Sequence, residues 1–374
     1  QGPPRLGRPI GARAMRAAPP PRWVLVTPLL GAMASSGTCG VGGVAAARAS
    51  SVYCSGPLLD AVQRAGLFAD SKHFVDMPLR ADPEDVLRAF AALPAERRGD
   101  AGALRAFVEQ HFDEPGAELV PHRPSDFHPA SPLAPGVKDP ALREFAQALH
   151  DLWPTLCREV APQVSAAPHR FSAIPRRWPV VLPGGRFRET YYWDSLWIVE
   201  GLLASGLLQT ARGLVQNLLD DVEAFGFVPN GGRVYYLNRS QPPLLCEMVA
   251  AVARALGAEA AAAWMASSAP LLQKELAWWS SGEHLVQLPG GRRLNRYYAY
   301  WEAPRPESYR EDLETAAGDA AVYRELATGA ETGWDFSCRW SRQAGRSNGG
   351  KFHLRDMSVT KVLPVDLNAI LYKA

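Results

Sequence analysis

The spacing of apolar residues constrains this chain more than any other feature. Leu142, Phe145, Leu149 and Leu152 recur three and four residues apart, as do Ala211, Val215, Leu218, Val222 and Phe225. That spacing lines one face of an α-helix. Asp220, Asp221 and Glu223 fall off the second stripe. Further helices are expected from Pro242-Pro243 to Gly257, across the Ala- and Leu-rich run from Ala258 to Trp279, and from Glu311 to Leu326. Strand signals are few: Leu285 to Leu288 and Asn295 to Trp301 flank Pro289-Gly-Gly291, which reads as a hairpin. Strands do not alternate with helices, so a parallel α/β sheet is not supported. The reading is an all-α domain over residues 51–374, with Pro- and Gly-rich loops carrying the polar and aromatic motifs. Residues 1–50 are dominated by Pro, Gly, Ala, Arg and Ser and read as a leader or disordered arm.

Composition narrows the function. Lys and Arg number 40 against 38 Asp and Glu, a net charge of +2, so charge offers no argument for a nucleic-acid partner. Hydrophobic residues at 47% and charged residues at 21% fit a globular chain and argue against disorder over most of its length. The 11 Trp residues either line a sugar cleft or fill a core. The five Cys, at 39, 54, 157, 246 and 338, form no CxxC pair and the eight His no HExxH, so no metal site is expected. Their wide spacing fits free thiols at least as well as disulfides. No run of 18 apolar residues exists to span a membrane. A basic stretch, Met15 to Arg22, precedes the apolar stretch Trp23 to Ala34, which reads either as a signal peptide with an internal start or as a featureless leader. The chain begins at Gln1 and stops just after the apolar run Leu367 to Tyr372, the pattern expected of a fragment or a truncated isoform.

Four segments concentrate chemistry. Pro183-Gly-Gly-Arg-Phe-Arg-Glu-Thr-Tyr-Tyr-Trp-Asp-Ser195 mixes aromatics with Arg186, Glu189 and Asp194. Aromatic faces cover the C–H side of a pyranose while charged groups bond its hydroxyls. The alternative is a helix start with a buried Arg–Glu pair. Val228 to Pro243 holds Asn230, Arg239 and Gln241 in a loop, or is simply an Asn-Gly turn. Pro304-Arg-Pro-Glu-Ser308 fixes Arg305 and Glu307 between prolines, either for pre-organised binding or as an exposed ion pair. In Glu331-Thr-Gly-Trp-Asp-Phe-Ser337, Asp335 lies between two aromatics. Desolvation there would keep it protonated as a general acid; as a bland alternative, Asp335 or Ser337 caps a helix. Gly345-Arg-Ser-Asn-Gly349 matches the nucleophile elbow, but it sits in a polar loop instead of between strand and helix. Gly37 to Gly43 follows no strand, which argues against a phosphate loop.

Together these segments resemble the trehalase family, inverting α,α-trehalose hydrolases built as an (α/α)6 toroid. The match extends to Pro364-Val-Asp-Leu-Asn-Ala369 and, early in the chain, to Lys72-His-Phe-Val-Asp-Met-Pro78. It covers about Val52 to Ala374. The resemblance implies Asp335 as general acid. It also implies sugar contacts from Arg186, Trp193, Asp194, Asn230, Arg239, Ser240, Gln241, Arg305, Pro306, Glu307 and Gly333. Trehalose would be the small-molecule partner, with no metal or organic cofactor. An inverting glycosidase pairs its acid with a carboxylate base about 6.5–9.5 Å away across the sugar, leaving room for a water. Three arginines near Asp335 would lower its pKa, against the effect of burial.

The family's base, a Glu, and its second signature, a segment containing Gln-Trp-Asp, belong to its C-terminal third and are absent from this sequence. The toroid is therefore expected to be incomplete at its C-terminus, and the chain unstable or aggregating and hydrolytically dead or nearly so. The competing hypotheses are a non-catalytic short isoform that binds sugar or a partner, and a helical-toroid glycosidase with another substrate. Glycosylation at the Asn238-Arg-Ser240 sequon would obstruct a cleft lined by that loop, so the sequon is expected to be unused. The leader and the resemblance point to an extracellular or cell-surface location, with membrane contact only through a lipid anchor that this chain lacks.

Overall fold

The computed structural model describes residues 44–342 and 352–374. The Met15–Ala34 leader stretch, the Gly37–Gly43 run and Gly345–Gly349 lie outside the described residues. The first described helix, Val44–Tyr53, crosses the boundary expected at residue 50, and Ala49 and Ser50 are buried.

Helices dominate. Asp194–Ala204, Leu208–Phe225, Leu245–Ala255 and Ala258–Trp279 follow one another and pack as a block. Each packs on the next along the chain, including Leu208–Phe225 on Leu245–Ala255, which the loop from Gly226 to Leu244 joins. The first packs also on the third, and the second on the fourth. Packing each helix on both the next and the next but one makes a single helical block of the four. The predicted stripe supplies the contact: Ala211, Val215, Leu218 and Val222 are buried, with Leu202, Leu245, Met248 and Val252 opposite. The Leu208–Phe225 helix stops at Gly226, whose φ of 89° suits a residue without a side chain. Asp221, off that stripe, is nevertheless buried, because Arg176 lies 2.5 Å from its carboxylate.

Three expectations change. The run from Glu311 to Leu326 is two helices, Tyr309–Ala316 and Ala320–Glu331, broken where Ala317 and Gly318 take positive φ and Asp319 caps the second. The hairpin exists, but its strands are Leu285–Gln287 and Arg293–Asn295. Beyond it the chain stays extended, with Tyr297, Ala299 and Trp301 buried. Its amides go to side chains instead of a strand: Tyr298 N donates to Glu331 Oε2 (2.7 Å) and Ala299 N to Thr328 Oγ1 (3.1 Å). Finally, Pro140–His150 is the expected helix, yet Leu142, Phe145, Leu149 and Leu152 remain exposed. Polar contacts dock it: Gln147 Nε2 donates to Pro129 O (2.7 Å), and His150 Nε2 pairs with His128 O (2.7 Å).

A three-stranded antiparallel sheet joins Leu119–Pro121, Cys157–Val160 and Val180–Val181. Among the described residues three apolar clusters form. The first gathers the N-terminal helices around Tyr235 and Tyr236, the second is the four-helix block, and the third surrounds Trp279, Tyr297, Trp340 and Met357. Cys54 is disulfide-bonded, whereas Cys157, Cys246 and Cys338 are free thiols.

Candidate functional site

The stretch ending at Asp194 and the loop after Val228 are stitched backbone to backbone: Tyr192 N donates to Asn230 O (3.1 Å) and Gly232 N to Thr190 O (2.9 Å). Gln241 Oε1 accepts from Trp193 N (3.1 Å), so a side chain of one motif fixes the backbone of the other. Asn230, Arg239, Ser240, Gln241, Arg305, Pro306 and Glu307 are all buried.

Arg239 organises the centre. Its Nε donates to Asn230 Oδ1 (2.7 Å), its Nη2 to Glu307 Oε1 (2.7 Å), and its guanidinium lies over the Tyr236 ring (5.0 Å). Arg305 is held by Asp312, one turn into the next helix, through Nε (2.8 Å) and Nη2 (2.7 Å). Burial pushes the Glu307 carboxyl up, but Arg239 and Arg305 outweigh it and hold the group below its ordinary range. Glu307 Oε2 is buried with no hydrogen-bond partner. A buried acceptor left open in a nest of guanidinium groups is suited to a ligand hydroxyl.

Asp335 is solvent-accessible, yet the surrounding protein strips enough hydration to raise its carboxyl pKa. Arg305 and Arg239 oppose that rise without reversing it, and the Glu307 charge adds to it. Burial therefore prevails over the arginines, partly because Arg305 and Arg239 already serve Asp312 and Glu307. Asp194 is raised as well, first by burial and then by the charge of Asp335. Ser337, and not Asp335, caps the turn Cys338–Trp340. Phe336, next to Asp335, has φ of 47°, a left-handed backbone rare for a bulky residue. Its ring lies under the Arg305 guanidinium (5.2 Å).

Two predicted contacts take particular positions. Gly333, at φ 66°, lies so close to Trp193 that a Cβ would stand 2.6 Å from the indole. Trp193 also meets Trp334 (6.1 Å between centroids), half-exposed beside Asp335. Arg186 stands apart from the buried group: it is exposed and makes a bidentate pair with Asp70 (2.6 and 2.7 Å). Asn238, the sequon residue, is buried, and its Nδ2 is enclosed without a partner.

The sequence reading missed a buried charge cluster behind these loops. Lys72 Nζ meets Asp76 (2.5 Å) and Glu189 (2.8 Å); Arg233 meets Glu189 (2.9 Å), Asp76 (3.3 Å) and Glu118 (2.9 Å). Tyr235 OH donates to Asp76 Oδ1 (2.7 Å). Glu189 thus realises the buried Arg–Glu alternative and is tied down on all sides, Tyr191 OH included. Tyr191 OH in turn lies 2.8 Å from Tyr236 OH, whose ring carries Arg239. The cluster therefore reaches the site through two tyrosines. The one signal in the sequence was the segment Lys72 to Pro78.

Among the described residues no group of three His, Cys, Asp or Glu could hold a metal ion, and no helix is long and apolar enough to cross a membrane.

The helical domain thus carries a site lined by arginines and carboxylates that also presents aromatic faces. Residues 66–374 match the model of the family described as Trehalase. The trehalase of Homo sapiens is 43% identical over 334 residues, 87% of this chain and 56% of that protein. The trehalase of Bombyx mori is 40% identical over 331 residues, 85% of this chain and 56% of that protein. Among solved structures, the neutral trehalase Nth1 from Saccharomyces cerevisiae is 26% identical with a TM-score of 0.44, covering 52% of this chain and 38% of that one. The chain belongs to the trehalase family, and it spans little more than half the length of the curated relatives it matches.

Proposed function

We propose that the group formed by Asp335, Arg239, Arg305 and Glu307 binds α,α-trehalose and hydrolyses it to two glucose molecules by an inverting acid/base mechanism. The observation that carries this reading is the raised carboxyl of Asp335 beside two arginines that are already neutralised by other partners. A carboxyl whose pKa is raised holds a proton more readily than an ordinary one and can donate it to the glycosidic oxygen as the bond breaks. Glu307, held ionised, accepts from sugar hydroxyls with its open oxygen, and Arg239, Asn230 and Gln241 fix the loop that faces them. Trp193 and Trp334 offer apolar faces to the sugar rings.

An inverting reaction also needs a carboxylate that activates water on the far side of the sugar. Within this chain Glu189 is unfit for that task, since Lys72, Arg233 and Tyr191 occupy it. Asp194 and Glu307 are the carboxylates of the site left to test. An extracellular or cell-surface location belongs to the same reading and rests on the Met15–Ala34 stretch; secretion of the tagged chain from cultured cells tests it.

The experiment is glucose release from trehalose by the purified chain beside Asp335→Asn, with the anomers followed by NMR. One α- and one β-glucose per trehalose, lost in the variant, is the expected result. Release that survives in Asp335→Asn would refute the assignment of the acid.

A further inference from the structure

We propose that Glu331 is a positioning residue that sets the acid-bearing turn against the sugar-contacting loop; the inference rests on the function proposed above. Glu331 is fully buried at the C-terminal end of the helix Ala320–Glu331. A carboxylate is the wrong charge there, because the helix dipole presents its negative end. Burial of an ionised group adds a further cost unless its oxygens are satisfied. They are satisfied, and by distant segments. Ser240 N donates to Oε1 (3.0 Å) and Tyr298 N to Oε2 (2.7 Å), and His284 Nε2 lies 3.3 Å from Oε1.

The segments of Ser240 and Tyr298 lead to the site. Ser240 stands between Arg239, which holds Glu307, and Gln241, which holds the Trp193 amide. Tyr298 belongs to the segment that leads on to Arg305. Two residues after Glu331 comes Gly333 against Trp193, and two after that, Asp335. One side chain thus ties the loop with the sugar contacts, the approach to Arg305 and the start of the acid turn. Two backbone N–H groups on opposite oxygens need two acceptors. Glutamine, the isostere, has only one, so its amide nitrogen would face an N–H. The arrangement requires the carboxylate.

The matched control is Glu325 on the same helix. It is also buried and accepts from Thr360 N (3.0 Å) and Thr360 Oγ1 (2.5 Å), which belong to none of the site's loops. The experiment compares the whole chain with Glu331→Gln, Glu331→Asp and Glu325→Gln in three measurements: melting temperature, trehalose binding by calorimetry, and kcat and KM for glucose release. The expected result is a similar fall in melting temperature for the two Gln variants, with kcat/KM and trehalose affinity lowered about tenfold or more only in Glu331→Gln. Glu331→Asp, which keeps both acceptors on a shorter reach, recovers part of that loss. Loss of stability in Glu331→Gln with wild-type kcat and KM would overturn the proposal. If that variant does not fold, Glu331→Asp decides alone: altered kcat or KM at near-normal melting temperature supports positioning, and the reverse overturns it. A folded wild-type chain that neither binds nor cleaves trehalose refutes the proposed function itself, and this inference with it.

Discussion

Replacing Lys72 by Met probes the charge cluster that stands behind the site. Lys72 is 1% exposed and serves two carboxylates, at 2.5 and 2.8 Å. Its removal leaves Asp76, Glu189 and Glu118 facing Arg233, with the half-buried Arg188 3.6 Å from Asp76 as the remaining cation. At an effective dielectric of about 20 each lost contact forfeits about 4 kcal/mol or more of attraction. Sparing the ammonium its desolvation returns several kcal/mol. The net cost should therefore fall at about 3–5 kcal/mol, the range for breaking a buried pair by deleting one partner. The penalty must depend on pH. Burial pushes the Asp76 carboxyl up, but Arg233 and Lys72 overcome it and hold the group below its ordinary value. A depressed native pKa contributes stability that is present above the unfolded pKa, about 3.9, and lost as pH falls through the native value. Without Lys72 that depression is relieved, so the gap between wild type and variant should be widest at neutral pH and narrow as pH falls below about 4, toward about pH 3. Urea unfolding followed by tryptophan fluorescence, at both pH values, measures it. A penalty under about 1 kcal/mol, or one that is the same at both pH values, would refute the reasoning.

Two further predictions use other parts of the molecule. Gly333→Ala should destabilise the chain by about 2 kcal/mol or more, from a left-handed backbone and a collision with Trp193; a melting temperature and near-UV dichroism spectrum like those of the wild type would contradict it. Glu275, fully buried on the long helix and bonded to Tyr192 OH (2.5 Å), has its carboxyl raised by burial to about 7. A raised pKa gives stability that is present below the unfolded pKa and lost as pH rises through the native one. Relative to Glu275→Gln, the wild type should thus lose up to about 3 kcal/mol between roughly pH 4.5 and pH 8; parallel stability curves for the two proteins would count against it.

Much of the architecture could be read from residue spacing, and the exceptions have physical causes. The stripe from Ala211 to Val222 packs as written because its partners are neighbouring helices of the same kind. The Pro140–His150 stripe has equal periodicity but no such partner among the described residues, and periodicity alone cannot say whether a face is covered. The break at Ala317-Gly318 was masked by helix formers on either side. In the site, Asn230, Arg239, Gln241, Arg305 and Glu307 were visible because each stands in a Gly- or Pro-rich loop that had no reason to carry charge. Glu331 lay within a motif, yet nothing in its neighbours marks it, since its partners Ser240 and Tyr298 are 91 and 33 residues away. Lys72 and Glu189, 117 residues apart, are hidden for the same reason. Arg186 was grouped with the buried arginines by its motif, but Asp70 holds it at the surface.

Phe336 carries two demands that few amino acids meet together. Its backbone is left-handed, which costs a non-glycine residue about 1–3 kcal/mol, and its ring supports Arg305. Glycine answers the first demand and drops the second, while Tyr or Trp keeps the ring and the strain. Any single-step change here therefore trades backbone ease against the platform beneath an arginine. In a mutational library Phe336 should behave as a bottleneck: tolerated replacements will be aromatic, and non-aromatic ones will survive only alongside a second substitution that anchors Arg305 in another way. Descent along this lineage would then preserve the turn beside Asp335 through the scarcity of single-mutation exits from it.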